Sequence, residues 1–139
     1  MPDAFVLDCS VAAKWVFPEP DRPIAMDWLK RHNSGQVQFI APDLILVEFA
    51  SLIAKRSRQR TMSAAEARTA YAFMTKSVPP IFDTRPLLES ALELSLAHHL
   101  SLWACVYLAL ALEHTCPLLT ADRRLFRAGK GRHPSIRLL

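Results

Sequence analysis

Short apolar runs alternate with longer segments of helical character along this sequence. The apolar runs are only four or five residues long, which suits a strand and is too short for a buried helix. Their continuous apolar character is typical of strands buried on both faces of a parallel sheet. The alternation therefore predicts an α/β fold with a central parallel sheet of about four to five strands, flanked by helices.

Turn and capping residues set the boundaries of these elements. A group of prolines interrupts the chain after the first helix, Ser10 is placed to cap that helix, and Ser63 and Glu66 have the spacing of a capping box. The predicted strands are 4–7, 38–41, 79–83, 116–120 and an edge strand at 135–138, and the predicted helices are 10–17, 24–31, 43–58, 63–76, 87–98, 103–113 and 124–128. A chain of 139 residues is the size of one domain, so we predict a single domain over 1–139.

Composition disfavours several classes of protein. With only 3 glycines and no Gly-rich phosphate loop, a nucleotide-binding flavodoxin-like protein is not expected. Cys9, Cys105 and Cys116 form no CxxC pair, so we expect buried free thiols in a reducing compartment. Asp3 and Asp8 do not suit a secretory signal, and no uncharged run approaches the roughly 18 residues of a membrane span. We therefore expect a cytoplasmic protein without a membrane segment.

The net charge of +4 is concentrated in two basic clusters. They hold ten of the 17 basic residues, namely Lys55, Arg56, Arg58 and Arg60, and Arg123, Arg124, Arg127, Lys130, Arg132 and Arg137. Such clusters are typical of a surface that contacts a polyanion such as RNA. They are equally typical of solvated helix ends, where basic side chains are favourable, and the sequence leaves both interpretations open.

Three carboxylates occupy positions that suit a binding site. Asp8 and Asp122 each follow a predicted strand, and ligands of open α/β sheets bind beyond the carboxyl ends of the strands. Glu48 lies on an apolar helical segment, where a carboxylate is unfavourable to bury unless it is paired or binds a metal. The alternatives are that each aspartate caps the next helix and that Glu48 reaches the rim or meets an arginine.

A divalent metal ion accounts for all three acids together. Carboxylates that converge without matching bases repel one another, and a hard cation such as Mg²⁺ or Mn²⁺ relieves that repulsion through oxygen ligands. Such an ion can activate water and stabilise a phosphate during its substitution. The surrounding basic residues would then hold a nucleic-acid backbone.

With these features, the sequence resembles the PIN-domain family, and in particular the VapC-type toxins of bacterial toxin–antitoxin pairs. The resemblance rests on segments that cover nearly the whole chain: VLDCSVAAKW at 6–15, APDL at 41–44 leading to Glu48, LSLW at 100–103 with YLALA at 107–111, and PLLTADRRL at 117–125. The first and last segments are fairly specific, whereas the middle one is weak alone.

The resemblance implies a Mg²⁺-dependent endoribonuclease whose site contains four acids. The first, second and fourth acids fall on Asp8, Glu48 and Asp122, as catalytic residues and metal ligands. Ser10 and Thr120 match positions that support the site by hydrogen bonding. The resemblance also implies an RNA substrate, a homodimer, and a VapB-like antitoxin that inserts a peptide near the acids.

The third acid is missing, because the residue after Trp103 is Ala104 where family members usually have Asp. Three explanations remain open: an engineered substitution that disarms a toxin, a natural loss that leaves a binding module, or a site completed by a neighbouring acid. We favour the first, because the surrounding segment otherwise matches the active pattern. Cys105 is a soft ligand, Glu113 is over two turns away, and Asp83 is expected to cap the helix that follows it. We therefore predict that this chain is weak or inactive.

Two functions from different classes follow. The first is an endoribonuclease toxin, with Lys14, Arg123 and Arg124 as the expected contacts to RNA. The second is a catalytically silent PIN module that binds RNA or an antitoxin without cutting, which Ala104 favours. The three tryptophans of the chain are Trp15, Trp28 and Trp103. We expect them in the core rather than as stacking platforms for bases.

Overall fold

The structure, a computed structural model, describes residues 2–129 and 136–139 of the chain. Its strands are β1 Asp3–Leu7, β2 Val37–Pro42, β3 Ile81–Phe82, β4 Leu118–Thr120 and β5 Ile136–Leu138. Its helices are α1 Cys9–Ala12, α2 Arg22–Asn33, α3 Leu44–Arg58, α4 Ala64–Ser77, α5 Leu88–His98, α6 Leu102–His114 and α7 Arg123–Gly129, with 3₁₀ turns at Ala13–Trp15 and Arg85–Leu87. The predicted α/β fold is confirmed.

The described strands form one parallel sheet in the order β3-β2-β1-β4-β5. In the central strand β1, Val6 is in register with Ile40 of β2 on one side and with Leu118 of β4 on the other. Because β2 and β4 lie on opposite sides of β1, a crevice opens beyond the carboxyl ends of β1 and β4. Asp8 and Asp122 follow these two strands and therefore start from the same edge of the sheet.

The core is built from the strands and from the middle of α6. Seven consecutive residues of α6, from Cys105 to Ala111, are buried, and the helix contacts α5, β1, β2 and β4. A helix that is apolar on all sides is expected to be enclosed in this way. Trp15 and Trp28 are also core residues, at 2% and 6% exposure, as predicted.

No single helix within residues 2–129 and 136–139 is long and apolar enough to cross a membrane. The segment Arg85–His98 and helix α6 reach the required length and hydropathy only as a pair, which is bent by 116°. All three cysteines are buried free thiols, as the sequence predicts.

The segment after β1 differs from the helix predicted over 10–17. Helix α1 has only 4 residues, and a 3₁₀ turn follows it to Trp15. Pro18 disfavours helical backbone in the residue before it, and the indole N–H of Trp15 donates to the carbonyl oxygen of Ala25 at 3.0 Å, which anchors the turn on α2. The prediction that Ser10 caps this helix is wrong, because Asp8 is the N-cap residue and no side chain caps the helix.

Other local predictions agree with the structure. The capping box of α4 is confirmed: the Glu66 N–H donates to Ser63 Oγ and the Ser63 N–H donates to Glu66 Oε1, both at 3.1 Å. The edge strand is present as β5. Ser135, at the start of the predicted strand, and Lys130 and Arg132 of the second basic cluster lie outside the described residues.

Truncation of a core residue of α3 tests this packing. We expect Phe49→Ala to lower the free energy of unfolding by about 3–5 kcal/mol. The reason is that Phe49 is 1% exposed and its ring stacks on that of Phe17, with centroids 6.3 Å apart. Urea denaturation measures the loss. The matched control on the same helix is Val47→Ala, because Val47 is 68% exposed. This variant should change the free energy of unfolding by less than about 0.5 kcal/mol. Equal losses would contradict the packing of α3.

Candidate functional site

The three acids singled out in the sequence and the position of the missing acid line one cavity of about 620 Å³. Asp8 comes from the end of β1, Asp122 from the residues after β4, Glu48 from the second turn of α3, and Ala104 from the first turn of α6. The fold therefore brings together residues that are far apart in the sequence. Their chemical roles stay predictions.

Asp8 is held by two hydroxyl groups that share one of its carboxylate oxygens. Ser10 Oγ donates to Asp8 Oδ2 at 2.7 Å, and Thr120 Oγ1 donates to the same oxygen at 2.6 Å. Each hydroxyl accepts from a backbone N–H, Ser10 from Ala121 at 2.9 Å and Thr120 from Asp122 at 3.0 Å. A hydroxyl has one proton to donate. Because each hydroxyl oxygen already accepts from a backbone N–H, its own proton points towards Asp8.

The charge of Asp8 is only partly compensated. Burial raises the pKa of Asp8 and the nearby charge of Asp122 adds to this, whereas the hydrogen bonds from Thr120 and Ser10 act in the opposite direction. Asp8 is 9% exposed. Within the described part of the chain, no basic side chain forms an ion pair with it. A cation at this carboxylate would stabilise the buried anion.

Tyr107 is a residue of the site that the sequence analysis did not single out. Its hydroxyl donates to Glu48 Oε1 at 2.6 Å, and the residue is only 1% exposed, so it holds the half-buried carboxylate in one orientation. Burial raises the pKa of the Tyr107 phenol, which keeps its proton for this bond. Tyr107 follows Ala104 by three residues on α6, and this spacing on one helix face is the signal that could have identified it.

Glu48 is also an acid whose charge is unfavourable in this setting. Burial raises the pKa of Glu48, the hydrogen bond from Tyr107 lowers it, and the charge of Asp8 raises it further. No described basic residue forms an ion pair with Glu48. The alternative that Glu48 meets an arginine is therefore not supported by the described residues.

Asp122 combines a structural role with a place in the cavity. Its Oδ1 accepts from the N–H groups of Arg124 and Leu125 at 2.9 and 3.1 Å, so it caps the start of α7, as the structural alternative expects. Asp122 nevertheless lines the cavity, and its charge raises the pKa of Asp8. Capping uses one carboxylate oxygen, and Oδ2 accepts no hydrogen bond from the described residues.

Ala104 occupies the position at which the resemblance implies a further acid. The N–H of Ala104 donates to Ser101 Oγ, the N-cap of α6, at 3.2 Å, and the residue lines the cavity. Among residues 2–129 and 136–139, no group of three or more His, Cys, Asp or Glu side chains is arranged to hold a metal ion. Carboxylate oxygens suit a hard divalent cation in their chemistry, but Asp8, Glu48 and Asp122 do not form such a group within the described residues.

No neighbouring acid takes the place of the missing one. Asp83 Oδ1 accepts from the N–H of Arg85 at 2.9 Å, in the loop after β3. The prediction that Asp83 is the N-cap of the following helix is wrong, because Thr84 is the N-cap of the 3₁₀ turn Arg85–Leu87 and Leu87 is that of α5. Neither Asp83 nor Glu113 lines the cavity. The explanation that a nearby carboxylate completes the site is therefore not supported.

The basic residues divide into paired and exposed ones. Lys14, an expected RNA contact, forms ion pairs with Glu19 and with Asp21, the latter at 2.8 Å. Arg123 and Arg124 are exposed in the first turn of α7, directly after Asp122. The hydrogen bond from Lys14 is the main reason that the pKa of Asp21 is lowered, and the charge of Arg123 contributes. Lys14 and Arg123 therefore both act on the same acid, Asp21.

Part of the first basic cluster has a structural role. The guanidinium of Arg56 lies 3.5 Å from Glu19 and 4.1 Å from the centroid of the Phe17 ring. Lys55, Arg56 and Arg58 occupy the last turn of α3, where basic side chains interact favourably with the helix dipole. The interpretation as a helix end is therefore the one that the contacts of this cluster support.

The prediction that all three tryptophans lie in the core is wrong for Trp103. This residue is 60% exposed and lines the cavity beside Ala104. It precedes the buried part of α6 by two residues, in the first turn of the helix, where the cavity opens. The apolar character of the following residues gave a misleading signal of burial.

Comparisons with known proteins agree with this architecture. A family model for the PIN domain matches residues 5–131, whereas a search of curated proteins found no match. A solved protein from Pyrobaculum aerophilum shares 20% identity at a TM-score of 0.71, with 95% of this chain and 90% of that chain covered.

Two further solved structures are similar to this chain. The VapC20 toxin of Mycobacterium tuberculosis, described as cleaving the sarcin–ricin loop, shares 18% identity at a TM-score of 0.67, with 90% of this chain and 95% of that chain covered. VapBC2 of Rickettsia felis, bound to a DNA fragment from its promoter, shares 12% identity at a TM-score of 0.67, with 89% and 91% covered. At these identities the likeness shows a shared fold.

Neutralising one acid tests whether the site is electrostatically strained. In the absence of divalent metal, we expect Glu48→Gln to raise the free energy of unfolding at pH 7. Burial raises the pKa of Glu48 above its ordinary value of 4.5 in the folded chain, so folding becomes less favourable as the pH rises from the unfolded pKa through the folded one. The amide removes this penalty and still accepts from Tyr107. Thermal denaturation measures the gain, which should shrink at pH 4.

The matched control is Glu93→Gln on α5, where the side chain is exposed. This variant should melt close to the parent protein at both pH values. A larger stabilisation of Glu48→Gln at pH 4 than at pH 7 would be inconsistent with a buried charge at this position.

Proposed function

The chain belongs to the PIN-domain family, and we propose that it is an endoribonuclease of the VapC toxin class whose metal-dependent activity is weakened by Ala104. The observation that carries the proposal is the meeting of Asp8, Glu48 and Asp122 in one cavity at the carboxyl edge of the sheet. A toxin of the same fold, VapC20, is described as cleaving the sarcin–ricin loop, which supports RNA as the substrate class.

Mg²⁺ or Mn²⁺ is the proposed cofactor. Asp8, Glu48 and Asp122 would hold it, since all three carboxylates line the same cavity. Within the described residues, Glu48 and Asp122 each accept hydrogen bonds at only one oxygen. A bound divalent cation supplies Lewis-acid stabilisation of the charge that develops on a phosphate. Ser10 and Thr120 keep Asp8 oriented, and Tyr107 does the same for Glu48, so little reorganisation is needed during the reaction.

Arg123 and Arg124 are the proposed contacts to the RNA backbone. Both are exposed beside Asp122, where their charge offsets the repulsion between phosphates and the acids of the cavity. The ammonium group of Lys14, the third expected contact, is shared with Glu19 and Asp21. We therefore expect RNA affinity to depend on salt mainly through the two arginines.

A VapB-like antitoxin and a second copy of the chain are the proposed protein partners, and the cytoplasm is the proposed location. VapBC2 of Rickettsia felis shares the fold, which supports an antitoxin partner.

Helix α5 has an exposed apolar stripe. The stripe consists of Leu88, Leu92 and Leu96, which are 42%, 50% and 64% exposed. Their spacing of four residues places them on one face of the helix, and such a face suits a homodimer.

Restoring the third acid tests the enzymatic proposal. We expect Ala104→Asp to increase Mg²⁺-dependent cleavage at least about tenfold, or about 1.4 kcal/mol of barrier. The reason is that position 104 lines the same cavity as the other three acids. The measurement is the cleavage rate of a labelled pool of single-stranded RNAs of randomised sequence.

Two controls accompany this assay. Ala97→Asp adds the same charge on the exposed surface of α5 and should leave cleavage unchanged. Asp8→Asn in the Ala104→Asp background should abolish the gain, which excludes a contaminating nuclease. If cleavage does not increase in Ala104→Asp, the enzymatic proposal fails.

The second candidate is a catalytically silent PIN module that binds RNA or antitoxin without cutting. It is favoured by Ala104 and by the incomplete ligand set within the described residues. Isothermal titration with Mn²⁺ separates the two candidates. Saturable binding that disappears in Asp8→Asn supports the nuclease, whereas RNA binding without detectable Mn²⁺ binding supports the silent module.

A further inference from the structure

Trp103 is exposed at the mouth of the acid cavity, in contrast to the other tryptophans of the chain. It is 60% exposed, against 2% for Trp15 and 6% for Trp28. An aromatic residue is not a strong helix former, and contact of its apolar ring with water is unfavourable. Neither helix propensity nor burial in the described fold therefore accounts for a tryptophan at this position.

Apolar residues next to Trp103 form one part of the cavity wall, and acidic residues form another. Val47, which is 68% exposed, and Ala104 line the cavity together with Trp103. Because residue 104 carries a methyl group rather than a carboxylate, the position next to the indole is uncharged. Asp8 and Glu48 line the same cavity, so a ligand held there meets both an acidic and an apolar surface.

We propose that Trp103 is a stacking platform for an unpaired nucleobase of RNA bound at this cavity. The inference rests on the function proposed above and assigns to Trp103 the contact with an unpaired base. In a duplex, both faces of a base are already stacked, so only an unpaired base can place a face on an exposed indole. Every base has such a face, and Trp103 therefore contributes affinity without selecting one sequence.

The charges around the cavity favour RNA over an uncharged apolar ligand. Arg123 and Arg124 are exposed beside Asp122, which lines the cavity with Trp103. A nucleotide has a flat apolar base and an anionic phosphate, and these match the indole and the arginines respectively. Trp103 would contact the base and not the reacting phosphate, so its role is in substrate binding and selection.

The test measures binding of a labelled ten-nucleotide single-stranded RNA to the full chain in Mg²⁺ by fluorescence anisotropy. We expect Trp103→Ala to weaken binding by about 5- to 150-fold and Trp103→Phe, which keeps a stacking ring, to weaken it much less. The matched control is Tyr71→Ala, because Tyr71 is an aromatic residue with 53% exposure on α4 outside this cavity. This variant should bind RNA as the parent protein does.

Two further measurements test whether Trp103 contacts the base of the RNA rather than its backbone. An RNA of the same length that lacks its bases should bind weakly, with no difference between the parent protein and Trp103→Ala. Since Trp15 and Trp28 are buried, tryptophan emission that acrylamide quenches belongs to Trp103. Single-stranded RNA should protect this emission, and duplex RNA of the same sequence should protect it less.

The outcomes separate the stacking proposal from the function on which it rests. If the parent protein binds no RNA, both fail. If it binds RNA and Trp103→Ala binds equally well, the stacking role is refuted while the proposed function stands. A loss of affinity that is equal for RNA with and without bases also refutes stacking. So does a change in the sedimenting mass of Trp103→Ala, because Trp103 would then be a subunit contact.

Discussion

A buried carboxylate at the end of the central strand is the constraint on which the site depends. Asp8 is tolerated there because Ser10 and Thr120 donate to one of its oxygens. Those hydroxyls are oriented by the amides of residues 121 and 122, which are in place because Leu7 and Leu119 are in register between β1 and β4. A slip of one residue between these strands would turn every side chain of the slipped strand to the other face of the sheet. The geometry of the site therefore depends on the register of β1 and β4.

The same arrangement opposes the stability of the fold, because its carboxylates are buried near one another. Asp122 and Glu48 each interact unfavourably with Asp8, and burial adds to the penalty. A fourth carboxylate at position 104 would increase this repulsion when no cation is bound. Ala104 therefore leaves the cavity with less internal repulsion than an acid at the same position would give.

Much of the fold and several site residues could be predicted because their signals are local. Apolar runs predicted the strands, and the Ser63–Glu66 spacing predicted a capping box that is present. The contact between Tyr107 and Glu48 could not be predicted in this way, because it depends on how α6 packs beside α3. The exposure of Trp103 could not be predicted either, because hydrophobicity alone does not distinguish the buried part of a helix from its exposed first turn.

The edges of the sheet limit how this molecule can associate with others. The outer strands β3 and β5 have only 2 and 3 residues, so each offers a short row of backbone groups to an incoming strand. Strand addition is consequently a poor route to assembly, and accidental sheet growth between copies is discouraged. Recognition through side chains on the helices would instead leave the hydrogen bonds of the sheet undisturbed.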